Sequence, residues 1–99
     1  MEDDNKESKI LNLLSVLTNR IILQKLSGRS MTVMELFSEL KKDPRIKIKN
    51  RESVYKDLEK MKLVGILDKS YDETEKNLYY NVKMKSVLID LKNGDIKFS

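Results

Sequence analysis

The sequence predicts an α+β fold, with helices over the first two thirds of the chain and antiparallel hairpins over the last third. Three observations predict it. Apolar residues recur at the helical period as far as Met61. Past Gly65 the period changes to two, and Asn93-Gly94 separates two alternating runs, a strong short hairpin signal. With 99 residues and 39% hydrophobic content, the chain fills one modest core.

Residues 1–7 read as an acidic flexible tail, followed by a domain over 8–85 and a hairpin extension over 86–99. Ile10, Leu13, Leu14, Leu17, Ile21 and Ile22 stand at helical spacing, with Ser8 as an N-cap and Gly28 as the end. The run is one helix, or two if the weak helix formers Thr18 and Asn19 interrupt it. Thr32 and Glu35 form a capping box that opens a second amphipathic helix carrying Val33, Leu36, Phe37 and Leu40, and Pro44 stops it. RIKIK follows, in which Ile46 and Ile48 alternate with Lys47 and Lys49, as in a short extended segment pinned by its isoleucines.

The next stretch, NRESVYKDLEKMKLVGIL, has both ends marked: Asn50 is a good N-cap, Glu52 lies in the first turn, and Gly65 terminates. At 100° per residue Val54, Leu58, Met61 and Lys62 share one arc, while Ser53, Lys56 and Lys60 gather on the opposite one. Beyond it, Leu67, Lys69 and Tyr71 share one side of a strand. Leu78, Tyr80, Val82 and Met84 alternate with Tyr79, Asn81, Lys83 and Lys85 across a mobile polar loop, DETEKN. A two-residue turn at Asn93-Gly94 pairs Lys92 with Asp95, Leu91 with Ile96, Asp90 with Lys97 and Ile89 with Phe98.

Short helices followed by a hairpin make the plan of a winged helix-turn-helix domain, in which the third helix enters the DNA major groove. From LLSVLTNRIILQKLS through MTVMELFSEL to ESVYKDLEKMKLVGIL and the YYNV strand, the chain resembles ArsR-like winged-helix transcriptional regulators of the small archaeal type. In that family the recognition helix has a small polar residue, a valine, polar positions and a leucine where Ser53, Val54, Tyr55, Lys56, Asp57 and Leu58 stand. The resemblance implies sequence-specific binding of double-stranded DNA. The sequence departs from the pattern in three ways. It has no cysteine or histidine, so the family's metal sensing does not carry over. The segment between Leu40 and Val54 is long for the turn, and Asp72, Glu73 and Glu75 give the wing an acidic tip that phosphate repels.

The same absences remove thiol nucleophiles and histidine acid–base chemistry, and no paired acidic motif or phosphate-cradling glycine loop replaces them, so no enzyme and no cofactor is expected. No apolar run nears the roughly 20 residues of a membrane span, and the acidic start lacks a signal peptide's features, so the expected location is the cytoplasm.

Net charge is +4, unevenly spread: Lys41–Lys62 holds nine basic residues against Asp43, Glu52, Asp57 and Glu59, leaving the remainder slightly acidic. Lysine outnumbers arginine 16 to 4, which a generally Lys-rich surface also explains. Ser53, Tyr55 and Lys56 are expected to read base edges, and Lys47, Lys49, Arg51 and Lys60 to neutralise phosphates. Lys83, with Lys69 and Lys85 on the wing stem, offers a further backbone contact. Dimerisation is expected through the first helix at Ile10, Leu11, Leu14 and Leu17, unless these complete the monomer core, and the C-terminal hairpin is the second candidate, its strands pairing across a two-fold axis or extending the wing sheet. The competing reading is a winged helix used as a protein-interaction module, which the acidic wing favours and the basic segment opposes.

Overall fold

The change of hydrophobic period at Gly65 is where the chain passes from helix to strand. The computed structural model describes the backbone of residues 2–99 and the side chains of 6–99. Helices α1 (Glu2–Ser15), α2 (Leu17–Gly28), α3 (Val33–Lys41) and α4 (Arg51–Leu63) precede two antiparallel hairpins, β1 (Leu67–Asp72) with β2 (Asn77–Val82) and β3 (Val87–Asp90) with β4 (Asp95–Phe98). This is an α+β winged-helix arrangement with an added C-terminal hairpin. Among the described residues no helix is long and apolar enough to cross a membrane.

The beginning differs from the sequence expectation. Helix α1 reaches back to Glu2, so Ser8 lies inside it and the stretch expected as a flexible tail is helical; Met1 lies outside the described residues. The run does divide in two, but at Val16 (φ −86°, ψ 122°) rather than at Thr18-Asn19. Those next residues seal the break: Asn19 Nδ2 donates to the Leu13 carbonyl at 2.9 Å and Arg20 Nη1 to the Leu14 carbonyl at 2.7 Å. Two of the carbonyls at the end of α1, those of Leu13 and Leu14, are thereby bonded from α2.

Helix α3 opens with the expected capping box, Thr32 Oγ1 accepting from Glu35 N and Glu35 Oε1 from Thr32 N. Its inner residues Leu36 and Leu40 meet Ile21, Ile22 and Leu26 of α2 and Val54, Leu58 and Met61 of α4 in one core. Ile10 is 1% exposed and belongs to that core, so it is lost to the dimer face expected on α1; Leu11 and Leu14 are half-buried, and Leu17 is exposed.

The wing is fastened to the helices through Tyr80, whose backbone exchanges hydrogen bonds with Met31 before α3. In the wing Leu67 pairs with Val82, Lys69 with Tyr80 and Tyr71 with Leu78, which puts the alternating residues on one face as expected, with burial fading toward the tip. The tip is a hydrogen-bonded turn rather than a mobile loop. Asp72 Oδ1 accepts from the backbone N–H of Thr74 (2.9 Å) and Glu75 (3.2 Å), and Lys76 takes the left-handed conformation at φ 57°.

The second hairpin repeats this device and corrects its expected register. A two-residue turn would need positive φ at both Asn93 and Gly94, and only Gly94 has it, at 73°. Asp90 instead gathers the turn, Oδ1 accepting from Lys92 N and Asn93 N and the carbonyl from Gly94 N at 2.7 Å. The pairs are therefore Asp90 with Asp95, Ile89 with Ile96, Leu88 with Lys97 and Val87 with Phe98. Leu91 moves from the ladder to the turn.

Candidate nucleic-acid interface

Asn50 decides how α4 begins. Its Oδ1 accepts from Ser53 N at 2.9 Å, and Ser53 Oγ donates to the Asn50 carbonyl at 2.9 Å. Val54, Leu58 and Met61 then turn fully into the core, which leaves Arg51, Ser53, Lys56 and Lys60 exposed on the remaining surface.

The approach to α4 is held from behind. Asp43 is almost buried and accepts from Arg45 Nε at 2.9 Å, Nη2 at 2.7 Å and the Arg45 backbone N–H at 3.0 Å, with Lys25 Nζ at 3.3 Å. The Arg45 guanidinium and backbone N–H, together with Lys25, hold the Asp43 carboxyl well below the usual carboxylate range, against the opposing effect of burial. Arg45 also donates to Gln24 of α2 at 3.1 Å. Sequence reasoning missed this clamp, although Asp-Pro-Arg next to a helix end is a turn signal that could have shown it. Past the clamp, Ile46 and Ile48 pack on the core while Lys47 and Lys49 stay exposed. The expected extended segment pairs with no strand.

Lys47 and Lys49 thus lie on the approach to α4, and Arg51, Ser53 and Lys56 are exposed on its first two turns. The Arg51 guanidinium touches the thioether of Met34 on α3, which bridges the two helices of the helix-turn-helix. Tyr55 is 47% exposed and leans toward the wing stem, where Lys69 Nζ stands 6.0 Å from its ring centroid. Lys60 lies about 14 Å along the helix from Arg51, given 1.5 Å per residue. It lines a groove with Lys9, Asn12 and Leu13 of α1.

Two stem lysines are placed elsewhere than expected. Lys69 donates to Glu59 Oε2 at 2.9 Å beneath the Tyr80 ring, so its charge is already engaged. Lys83 is exposed but sits at the base of the wing, its backbone N–H bonded to the Ile66 carbonyl just beyond the end of α4. That is the opposite end of the helix from Lys47 and Lys49. Both positions depend on how the wing docks, which no local pattern encodes.

Two acidic features complete the electrostatics. Burial raises the carboxyl of Asp57 above its ordinary value, with Lys60 partly offsetting it. At the wing tip Glu75 Oε2 accepts from Tyr79 Oη at 2.6 Å and Asp72 is spent on the turn, so two of the three acidic groups there shape the loop itself. Among the described residues no cluster of three or more acidic side chains is arranged to hold a metal ion.

No family model matches the chain, and no curated protein matches it in sequence. A solved structure of the Helicobacter pylori ferric uptake regulator Fur, described as having three functional metal-binding sites, is similar at a TM-score of 0.58. The match has 15% sequence identity and covers 99% of this chain and 70% of that one. At this identity the likeness is one of fold, and the chain carries the fold of a winged-helix protein.

Proposed function

We propose that this chain is a sequence-specific double-stranded DNA-binding transcriptional regulator whose α4 enters the major groove. One observation carries the reading. Lys47, Lys49, Arg51, Lys56 and Lys60 follow one another along the approach to α4 and its outer side, all exposed and none in an ion pair among the described residues. Unpaired cations along the approach and outer side of the capped α4 are what phosphate contact requires. Ser53, Tyr55 and Lys56 read base edges; Lys47, Lys49, Arg51 and Lys60 set the register. The fold of Fur, a regulator by name, supports the reading without specifying the recognition mode.

The ArsR-like pattern at Ser53–Leu58 places the chain among small archaeal regulators in this reading. It works in the cytoplasm as a homodimer on an inverted repeat, with half-sites about 34 Å apart, and it catalyses no reaction. Selection of bound duplexes from a random pool tests this directly: an enriched inverted repeat is expected. Lys56→Glu should abolish binding to the selected site with the thermal midpoint nearly unchanged, because the side chain is exposed. Full retention of affinity by that variant would refute the assignment of α4.

A second reading, a protein-contact module, is favoured by the wing, where Tyr71 and Leu78 form an exposed apolar pair beside an acidic tip. An unenriched pool together with a salt-independent partner would select it.

A further inference from the structure

We infer that the outer edge of β3 is a self-complementary pairing edge, and that a second copy of this chain docks there to form a four-stranded sheet across a two-fold axis. This inference deepens the homodimer of the proposed reading by naming its interface, and it does not depend on α4 contacting DNA.

A two-stranded hairpin by itself is marginal, and its edges are templates for further pairing. The two edges here are unlike. Leu88 and Ile89 on β3 are 63% and 50% exposed, with Leu91 in the adjoining turn at 90%, whereas the exposed side chains of β4 are Asp95 and Lys97, charges of the kind that protect an edge. The apolar edge is the unprotected one.

The hydrogen-bond alternation fixes what that edge offers. Ser86 and Ser99 exchange both backbone hydrogen bonds at 3.0 Å, and the ladder then runs through Leu88 with Lys97. The N–H and C=O groups of Val87 and Ile89 consequently point away from β4, with no backbone partner among the described residues. An antiparallel second copy centred on Leu88 places Val87 opposite the partner's Ile89, and Ile89 opposite the partner's Val87. Both are then the doubly bonded type of pair, so every outward group of the two residues is satisfied.

The side chains agree with the backbone. Leu88 meets its own symmetry mate at the close, non-bonded position, and Val87 with Ile89 forms an apolar pair on the other face. Asp90 falls opposite the partner's Ser86, so no like charges meet. Among registers centred on this edge, a two-fold through Leu88 matches bonds, apolar pairs and charge together.

The chain has no cysteine, so single introduced cysteines report this geometry. Under mild oxidation Leu88→Cys is expected to give a disulfide-linked dimer, because residues in the close pair lie within disulfide range. Leu91→Cys, about 20 Å from its mate in this register, is expected to cross-link at least about tenfold more slowly. Leu88→Lys places two like charges on the axis while leaving an exposed position of the monomer, and should raise the dimer dissociation constant by about 100-fold or more in sedimentation. Circular dichroism is used to confirm that this variant folds. A wild-type chain that sediments as a monomer at about 100 μM, an unaffected Leu88→Lys dimer, or equal cross-linking at 88 and 91 would each overturn the proposal. Lys56→Glu is expected to remain dimeric, which separates failure of this interface from failure of DNA binding.

Discussion

Asp43 illustrates how much one carboxylate can organise, since it joins the end of α3 to α2 and aims the approach to α4. Its folded value is depressed, so its stabilising contribution is complete above the ordinary carboxylate value of about 3.9 and disappears as pH falls through the depressed value. Asp43→Asn should therefore lower the thermal midpoint at neutral pH, and the gap from the parent should close in strong acid. Asp57 has the opposite sign. Its value is raised by burial, so the folded state loses stability as pH rises through that raised value, and Asp57→Asn should stabilise at pH 7 but not in acid. The wing turn gives a third residue-scale expectation. Lys76 holds the left-handed position that Gly94 holds in the second hairpin, and Lys76→Gly should raise stability by about 0.5–1 kcal/mol in urea titration, relief of strain exceeding the added chain entropy.

At the scale of elements, what was legible is what short-range chemistry decides. Thr32–Glu35, Asn50 and Gly65 mark boundaries through bonds to their own neighbours, and the structure puts them where the sequence does. The apolar stripe of α4 was equally readable. The misses have the opposite character. The break at Val16 rests on Asn19 and Arg20 reaching six residues back, and the turn at 91–94 rests on which backbone angles Asn93 adopts once Asp90 captures its N–H. Lys69 looked like a free cation until α4 supplied Glu59. The capping at the first break makes its own prediction. Asn19 is buried, and Asn19→Ala leaves the Leu13 carbonyl only the 3.3 Å bond from Val16 N while also removing an Oδ1 that has no partner among the described residues, so it should destabilise by about 0.5–1.5 kcal/mol in denaturant titration.

For the molecule as a whole, the decisive balance is between a basic approach with α4 and an acidic wing tip. If, as proposed, the first contacts phosphate, binding should show a log–log salt dependence with a slope of about −0.9 per phosphate neutralised. Replacing Lys47 or Lys49 with glutamine should flatten that slope by roughly one contact while leaving sequence preference intact. The candidate site was legible as a set of residue types, and its members near Asn50 do gather. Lys83 does not join them, because wing docking carries its strand to the far end of α4.

The joint between wing and helix also has an optical consequence. Glu59 accepts from the buried Tyr80 hydroxyl and from Lys69, with the Tyr55 ring alongside, and the chain has four tyrosines and no tryptophan. A phenol that donates to a carboxylate emits weakly, and Tyr79 donates to Glu75 in the same way, so part of the tyrosine emission should be quenched in the native protein and return as these bonds open. The share of that emission which Glu59→Gln restores in the folded state is thus an intrinsic gauge of whether α4 and the wing move as one body, readable without any attached dye.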